Sequence, residues 1–192
     1  VIDETQGNGY IVRNVRLEFG PGGKGTMRVR LTIPDGKGPF PVLMSAGLTG
    51  WPDALRRGYI SAGFAANDAT DDAAALADLY PNYDFALLPR RGWAAGMVVD
   101  YLATMPPVDM KKIALFGYSR DGKMAAFGAA LDERIAAVIA GSTGVGGVVP
   151  WRLSGEYGMG EGVESTTRSF PIWFHPRLRF FAGHEDRLPV EA

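Results

Sequence analysis

One stretch constrains this chain more than any other: IALFGYSRDGKMA, residues 113–125. IALF reads as a buried strand, GYSRDG as a turn bounded by glycines, and GKMAAFGAALDE (122–133) as a helix. A turn that carries a buried strand straight into a helix belongs to folds in which strands and helices alternate around one sheet. RIAAVIAG (134–141) then reads as the next strand.

The sequence upstream fits that frame. YIVRNVRLEF (10–19) and TMRVRLTIP (26–34) alternate apolar and polar residues around GPGGKG, which predicts a hairpin at the edge of a sheet. FPVLMSAG (40–47) is a short apolar run expected of a buried strand, PDALRRGYI (52–60) a short helix, and GFAAND (63–68) a further strand. Residues 69–84 read as a surface loop with one helical turn. In 92–105, Trp93, Met97, Tyr101 and Met105 recur every four residues, a helical stripe. From 142 to 169 periodicity fades and glycine is dense, as in a binding loop beside a packed sheet. Six strands result: a hairpin, then four joined by crossovers. The expectation is one α/β domain over 1–192 with a mostly parallel sheet.

Composition removes several functions. At 46% hydrophobic and 21% charged residues the chain can build a core, and a net charge of −1 offers nothing to draw in nucleic acid or a membrane surface. No apolar run is long enough to span a bilayer. With no cysteine, thiolate nucleophiles, thiolate metal sites and disulfides are excluded. Any imidazole must come from His175 or His184.

The turn itself allows three readings. As a nucleophile elbow it would lift the Ser119 hydroxyl above the sheet at the head of a helix. Gly117 is in place for that, but the second glycine stands at 122, where the G-x-S-x-G spacing asks for it at 121. As a phosphate loop, Gly117 to Lys123 fits G-x-x-x-x-G-K, yet Met124 replaces the hydroxyl that would hold magnesium. The third reading is a plain turn whose serine caps a helix. Strand order favours the first. In the α/β-hydrolase architecture the nucleophile follows the fifth strand after an antiparallel start, with acid and histidine later. The fold expected is therefore an α/β-hydrolase-type three-layer sandwich with an antiparallel N-terminal hairpin, its C-terminal strands missing.

The residues also carry a family resemblance. GYSRDGK, followed in order by AALDERIAAVI, STGVGG, PWR, FPIWF and EDRLPV, resembles bacterial members of the glucuronoyl esterase family and related xylan-directed esterases. The family's nucleophile segment, G-x-S-R-x-G-K, has the same displaced glycine. The resemblance, over roughly 40–192, implies a serine esterase with no metal or organic cofactor. Its substrate would be a carbohydrate ester of glucuronoxylan or a lignin–carbohydrate ester, and it would be secreted or periplasmic in a bacterium. It implies Ser119 as nucleophile, Arg120 as oxyanion stabiliser through its backbone N–H and guanidinium, Lys123 as a contact to sugar hydroxyls, and Trp173 as a wall of the sugar cleft. Glu164 is a weaker candidate for uronate contact. An acetylxylan esterase or general carboxylesterase is the alternative within enzymes, and a non-catalytic relic the alternative outside them.

Two departures shape the expectation. Where some relatives place the catalytic acid after the sixth strand, this chain has Ser142. The family histidine follows Leu–Pro, and LPVEA closes the sequence, so acid and histidine are expected beyond Ala192, and His184 beside Asp186 is read as non-catalytic. Two absent strands would leave an exposed edge, covered by a partner chain or by further C-terminal sequence.

Overall fold

The computed structural model describes residues 1–153 and 161–188. One 7-stranded sheet runs through it: β1 (Asp3–Gln6), β2 (Tyr10–Phe19), β3 (Gly25–Pro34), β4 (Phe40–Ala46), β5 (Ile60–Phe64), β6 (Val108–Tyr118) and β7 (Ala137–Gly141), in the order β1-β2-β3-β5-β4-β6-β7. The first three strands and the β3–β5 pairing are antiparallel, while β5, β4, β6 and β7 form the parallel core. The expected hairpin pairs Tyr10 with Pro34 through Phe19 with Gly25. It gains an outer strand, β1, whose four residues are all exposed and so carry no apolar alternation to announce it.

Side-chain patterns explain the layers. In β3, Met27, Val29, Leu31 and Ile33 are buried on one face, while Thr26, Arg28, Arg30 and Thr32 turn away from it. β5 is buried at every position, as a strand covered on both faces must be. It begins at Ile60, three residues before the sequence suggested. The preceding helix, α1 (Pro52–Arg56), ends early because Gly58 adopts φ 78. α1 lies on the Arg30–Thr32 face, where Tyr10, Val12, Arg30 and Thr32 border a cleft with Trp51 and Leu55.

The opposite face carries α3 (Leu87–Leu102) and α4 (Arg120–Leu131); the short α2 (Ala75–Leu79) and α5 (Val163–Ser169) lie in the connections. The stripe Trp93–Met97–Tyr101–Met105 runs along the margin of the core: Met97 and Tyr101 pack against it and Met105, past the end of α3, is buried in it. Trp93 is 37% exposed, whereas Leu88, Ala95 and Leu102 are fully buried. The reason is close packing: a Cβ on Gly92 would lie 2.8 Å from Phe127 Cβ and 2.9 Å from Gly128 N of α4. Small residues mark that contact and large ones flank it. None of the described helices is long and apolar enough to cross a membrane. Among the described residues β7 is the outer strand, with Val138 and Ile139 exposed.

One ion pair pins the β5–α2 connection to the sheet. Arg28 donates from Nε (2.9 Å) and Nη2 (2.7 Å) to the two oxygens of Asp72, whose Oδ2 also accepts the Arg28 backbone N–H at 2.9 Å. The Arg28 side chain holds the Asp72 carboxyl below its ordinary value of 3.8. A depressed carboxyl stabilises the fold above its unfolded pKa and loses that contribution as pH falls through its folded one. Asp72→Asn is thus expected to lower Tm at neutral pH. The gap to the parent should close below about pH 4, in thermal melts across that range.

Candidate active site

The elbow sits between β6 and α4. Ser119 takes φ 55 and ψ −123, a conformation that costs a non-glycine residue about 1–3 kcal/mol. Two backbone bonds over-determine it. The Ser119 N–H donates to Gly141 O at the end of β7 (2.8 Å), and the Lys123 N–H donates to Ser119 O (3.1 Å), closing the first turn of α4. The Ser119 side chain is exposed, and its hydroxyl has no hydrogen-bond partner among the described residues. Beneath it the N–H groups of Arg120, Asp121 and Gly122 have no acceptor among the described residues. The first turn of a helix leaves such donors free, and they favour negative charge.

The displaced glycine has a packing explanation. A Cβ on Gly117 would stand 1.9 Å from Asp121 O and 2.3 Å from its carbonyl carbon, so Gly117 makes room for the backbone of residue 121 itself. Gly122 faces the other way: its Cβ would meet Gly141 O and Thr143 Cγ2, both at 2.9 Å. Glycine is needed where α4 leans on the end of β7, and in this turn that is position 122. Position 121 tolerates a side chain, and burial pushes the Asp121 carboxyl up against the lowering influence of Arg120 and Arg91.

Arg120 does not trail into solvent. Its Nη1 donates to Asp68 Oδ2, and its guanidinium carbon lies 6.0 Å from the centre of the Trp173 ring. Asp68 Oδ1 in turn accepts from Nη1 of Arg91 (3.0 Å), which is 2% exposed and donates through Nε (2.9 Å) and Nη2 (2.8 Å) to Asp71 Oδ2. The pairing neutralises a cation that burial would otherwise forbid. No motif announces this cluster. Arg91 falls in the apolar face of α3, and Asp68 and Asp71 belong to the loop after β5. A charged residue within a helix's buried face was the only available signal.

Lys123 is also buried, at 1% exposure. Its Nζ donates to Thr143 O, to Val145 O (2.6 Å) and to Glu161 Oε2 (2.9 Å). Three donors thus meet three acceptors, which ties α4 to the loop after β7. The same ammonium is 5.8 Å from the Trp173 ring centre. Trp173 stacks on Phe170 (3.7 Å between centres, 5° between planes), and its carbonyl accepts the Leu88 N–H at the head of α3 (3.2 Å). The four residues singled out in the sequence therefore share one neighbourhood: Arg120 and Lys123 follow Ser119 on α4 and face Trp173.

The remaining candidates lie apart from it. His175 Nδ1 accepts the Arg177 N–H (3.1 Å) and its Nε2 meets Asp84 Oδ2 at 2.5 Å, so both ring nitrogens are engaged. His184 opens the one-turn segment Glu185–Arg187, and neither histidine hydrogen-bonds Ser119. Ser142 turns the chain after β7 with φ 46. Glu164 is exposed and pairs with Arg168 at 3.6 Å. Arg152 donates to Leu188 O at 2.6 Å, while Trp151 packs edge-on against Phe174. Of EDRLPV and LPVEA, residues 189–192 lie outside the described residues, as do residues 154–160 of the glycine-rich loop.

Comparisons with known proteins bear on the family and the fold. A family model described as Glucuronyl esterase, fungi, matches residues 20–192. A carbohydrate esterase from an unknown prokaryotic organism is 37% identical over 101 residues, which is 52% of this chain and 22% of that protein. A 4-O-methyl-glucuronoyl methylesterase of Podospora anserina is 25% identical over 172 residues, 82% of this chain and 36% of its own length. The solved structure of a promiscuous CE15 esterase from a marine bacterial metagenome matches with a TM-score of 0.80 at 21% identity, over 98% of this chain and 60% of that one. The chain spans well under half the length of these two curated relatives.

Proposed function

Because the chain belongs to the glucuronoyl esterase family, with its α/β-hydrolase fold, we propose that it works as a serine carbohydrate esterase on 4-O-methyl-glucuronoyl esters of plant cell-wall polysaccharide. One observation carries this reading. An exposed serine stands at φ 55 as the N-cap of a helix, and neither its hydroxyl nor the first N–H groups of that helix have a partner among the described residues.

The chemistry follows from that placement. Ser119 Oγ attacks the ester carbonyl carbon while its proton passes to a histidine base, which in the family pattern follows the Leu–Pro that begins at Leu188. The carbonyl oxygen becomes an oxyanion, accepting from the Arg120 N–H and from the guanidinium beside it. A fixed donor aimed at developing charge stabilises the transition state more than the ground state. Collapse breaks the bond to the alcohol, which takes the proton back from the base, and water then releases the uronate from Ser119. His175 is unsuited to the base role, since Asp84 and the Arg177 N–H occupy its two nitrogens.

For the sugar, half-buried Trp173 lies within about 6 Å of both Arg120 and Lys123, which supports a role for it in the cleft wall. Lys123 would reach a sugar hydroxyl by exchanging Glu161, its exposed partner at 39%, while keeping the two carbonyls. The deciding measurement compares hydrolysis of the methyl ester of 4-O-methylglucuronate with release of acetate from acetylated xylan. Turnover of the uronate ester is expected to dominate by at least about tenfold in kcat/KM, the effect of a charged hydrogen bond. Acetate release alone would overturn the substrate assignment and favour an acetylxylan esterase.

A further inference from the structure

A long cation stabilises an oxyanion best when its guanidinium is already in place, because fixing a free arginine costs rotamer freedom. Asp68 supplies that restraint. We propose that Asp68 is a positioning residue for Arg120, itself oriented by the buried Arg91, and that this chain of contacts holds one edge of the Arg120 guanidinium free for the ester oxygen. The inference rests on Arg120 being an oxyanion donor.

The atoms divide cleanly. Arg120 Nη1 is committed to Asp68 Oδ2, whereas Nη2 has no hydrogen-bond partner among the described residues. Nε is buried and without a hydrogen bond, 3.5 Å from Asp121 Oδ1. With Asp68 on one side and the Trp173 ring on another, the guanidinium plane has little freedom to swing. Asp68 is itself 57% exposed on a loop, but its other oxygen is gripped by Arg91, which α3 buries and Asp71 clamps. The rigid body behind Arg120 is therefore α3, reached through a single carboxylate.

Sharing limits how far Asp68 offsets the charge of Arg120. Asp68 is shared between two guanidiniums, and Asp71 between Arg91 and Arg90, the latter at 3.5 Å. With Asp121, whose Oδ1 is 3.5 Å from Arg120 Nε, the cluster holds three arginines and three aspartates, so Asp68 is divided between Arg120 and Arg91 within a balanced network. The ordinary alternative is a surface ion pair, which contributes little to stability and nothing to turnover.

The test is a double-mutant cycle on the full-length protein with the methyl ester of 4-O-methylglucuronate. Rates are normalised by titrating Ser119 with a phosphonate, so that only folded sites count. Arg120→Ala is expected to lower kcat by about 10²–10³-fold. Asp68→Asn should lower kcat by about tenfold with KM changed less than about twofold, and should have no further effect in the Arg120→Ala background. Asp68→Glu should restore part of the loss. If Asp68→Asn does not fold, Asp68→Ser enters the cycle in its place. A full kcat in the aspartate variants while Arg120→Ala is slow would overturn the positioning role and leave the Arg120 reading standing. Equal losses in both backgrounds would also overturn it. A full kcat in Arg120→Ala would instead remove the oxyanion role on which the inference rests.

Discussion

Ser119→Ala is expected to reduce hydrolysis of the uronate methyl ester by about 10⁴- to 10⁶-fold in kcat while leaving the fold in place. The magnitude is large because the hydroxyl is the bond-forming atom, and no neighbouring side chain can replace it. Its structural cost is small, since the exposed hydroxyl makes no hydrogen bond among the described residues. Ser119→Gly separates chemistry from backbone. It should be equally inactive but more stable by about 1 kcal/mol, because glycine adopts φ 55 without the penalty that serine pays. Steady-state kinetics and thermal melts on the two variants check both halves. An active Ser119→Ala protein would sink the nucleophile assignment.

Gly117→Ala carries the second large effect, this time on folding. The added methyl would lie 1.9 Å from Asp121 O, a backbone atom that cannot rotate aside. To relieve the overlap, β6 must separate from the first turn of α4, and the Ser119 N–H bond to Gly141 O would go with it. The expected loss is about 3 kcal/mol or more, which for a chain of this size lowers Tm by roughly 6–12 °C. Activity per soluble molecule should fall as well, because the strained serine is held by the contacts that the methyl breaks. A Gly117→Ala variant with unchanged Tm and turnover would rule out this elbow geometry.

The sequence was most readable where local pattern and tertiary packing ask for the same residue. β3 shows it: Met27, Val29, Leu31 and Ile33 alternate in the sequence and are buried on one face in the fold. Pattern failed where a partner changes what burial requires. In α3 the large residues Trp93 and Met97 advertise a stripe, but the buried face runs through Leu88, Gly92, Ala95, Val99 and Leu102, with Gly92 placed where α4 comes so close. β1 was silent, being short and exposed on the sheet's outer edge. At the site, GYSRDGK identified Ser119, Arg120 and Lys123 as neighbours on one turn. It gave no hint that Asp68 grips Arg120 or that Glu161 meets Lys123, since those contacts span 52 and 38 residues.

By itself, then, the sequence determined the strand–turn–helix that must carry Ser119, the parallel core around it and the family to which it belongs. The first two follow from hydrophobic period and glycine placement, and the family from the resemblance of ordered blocks such as GYSRDGK and FPIWF, all read along the chain. Only the tertiary structure decided why the second glycine stands at 122 and which groups restrain the cations beside the serine. Both answers depend on what the fold brings against the turn. The end of β7 comes within 2.9 Å of where a Gly122 Cβ would be, and a buried arginine on α3 is tied by two loop aspartates. No spacing along the chain encodes either distance, because packing between distant segments sets them.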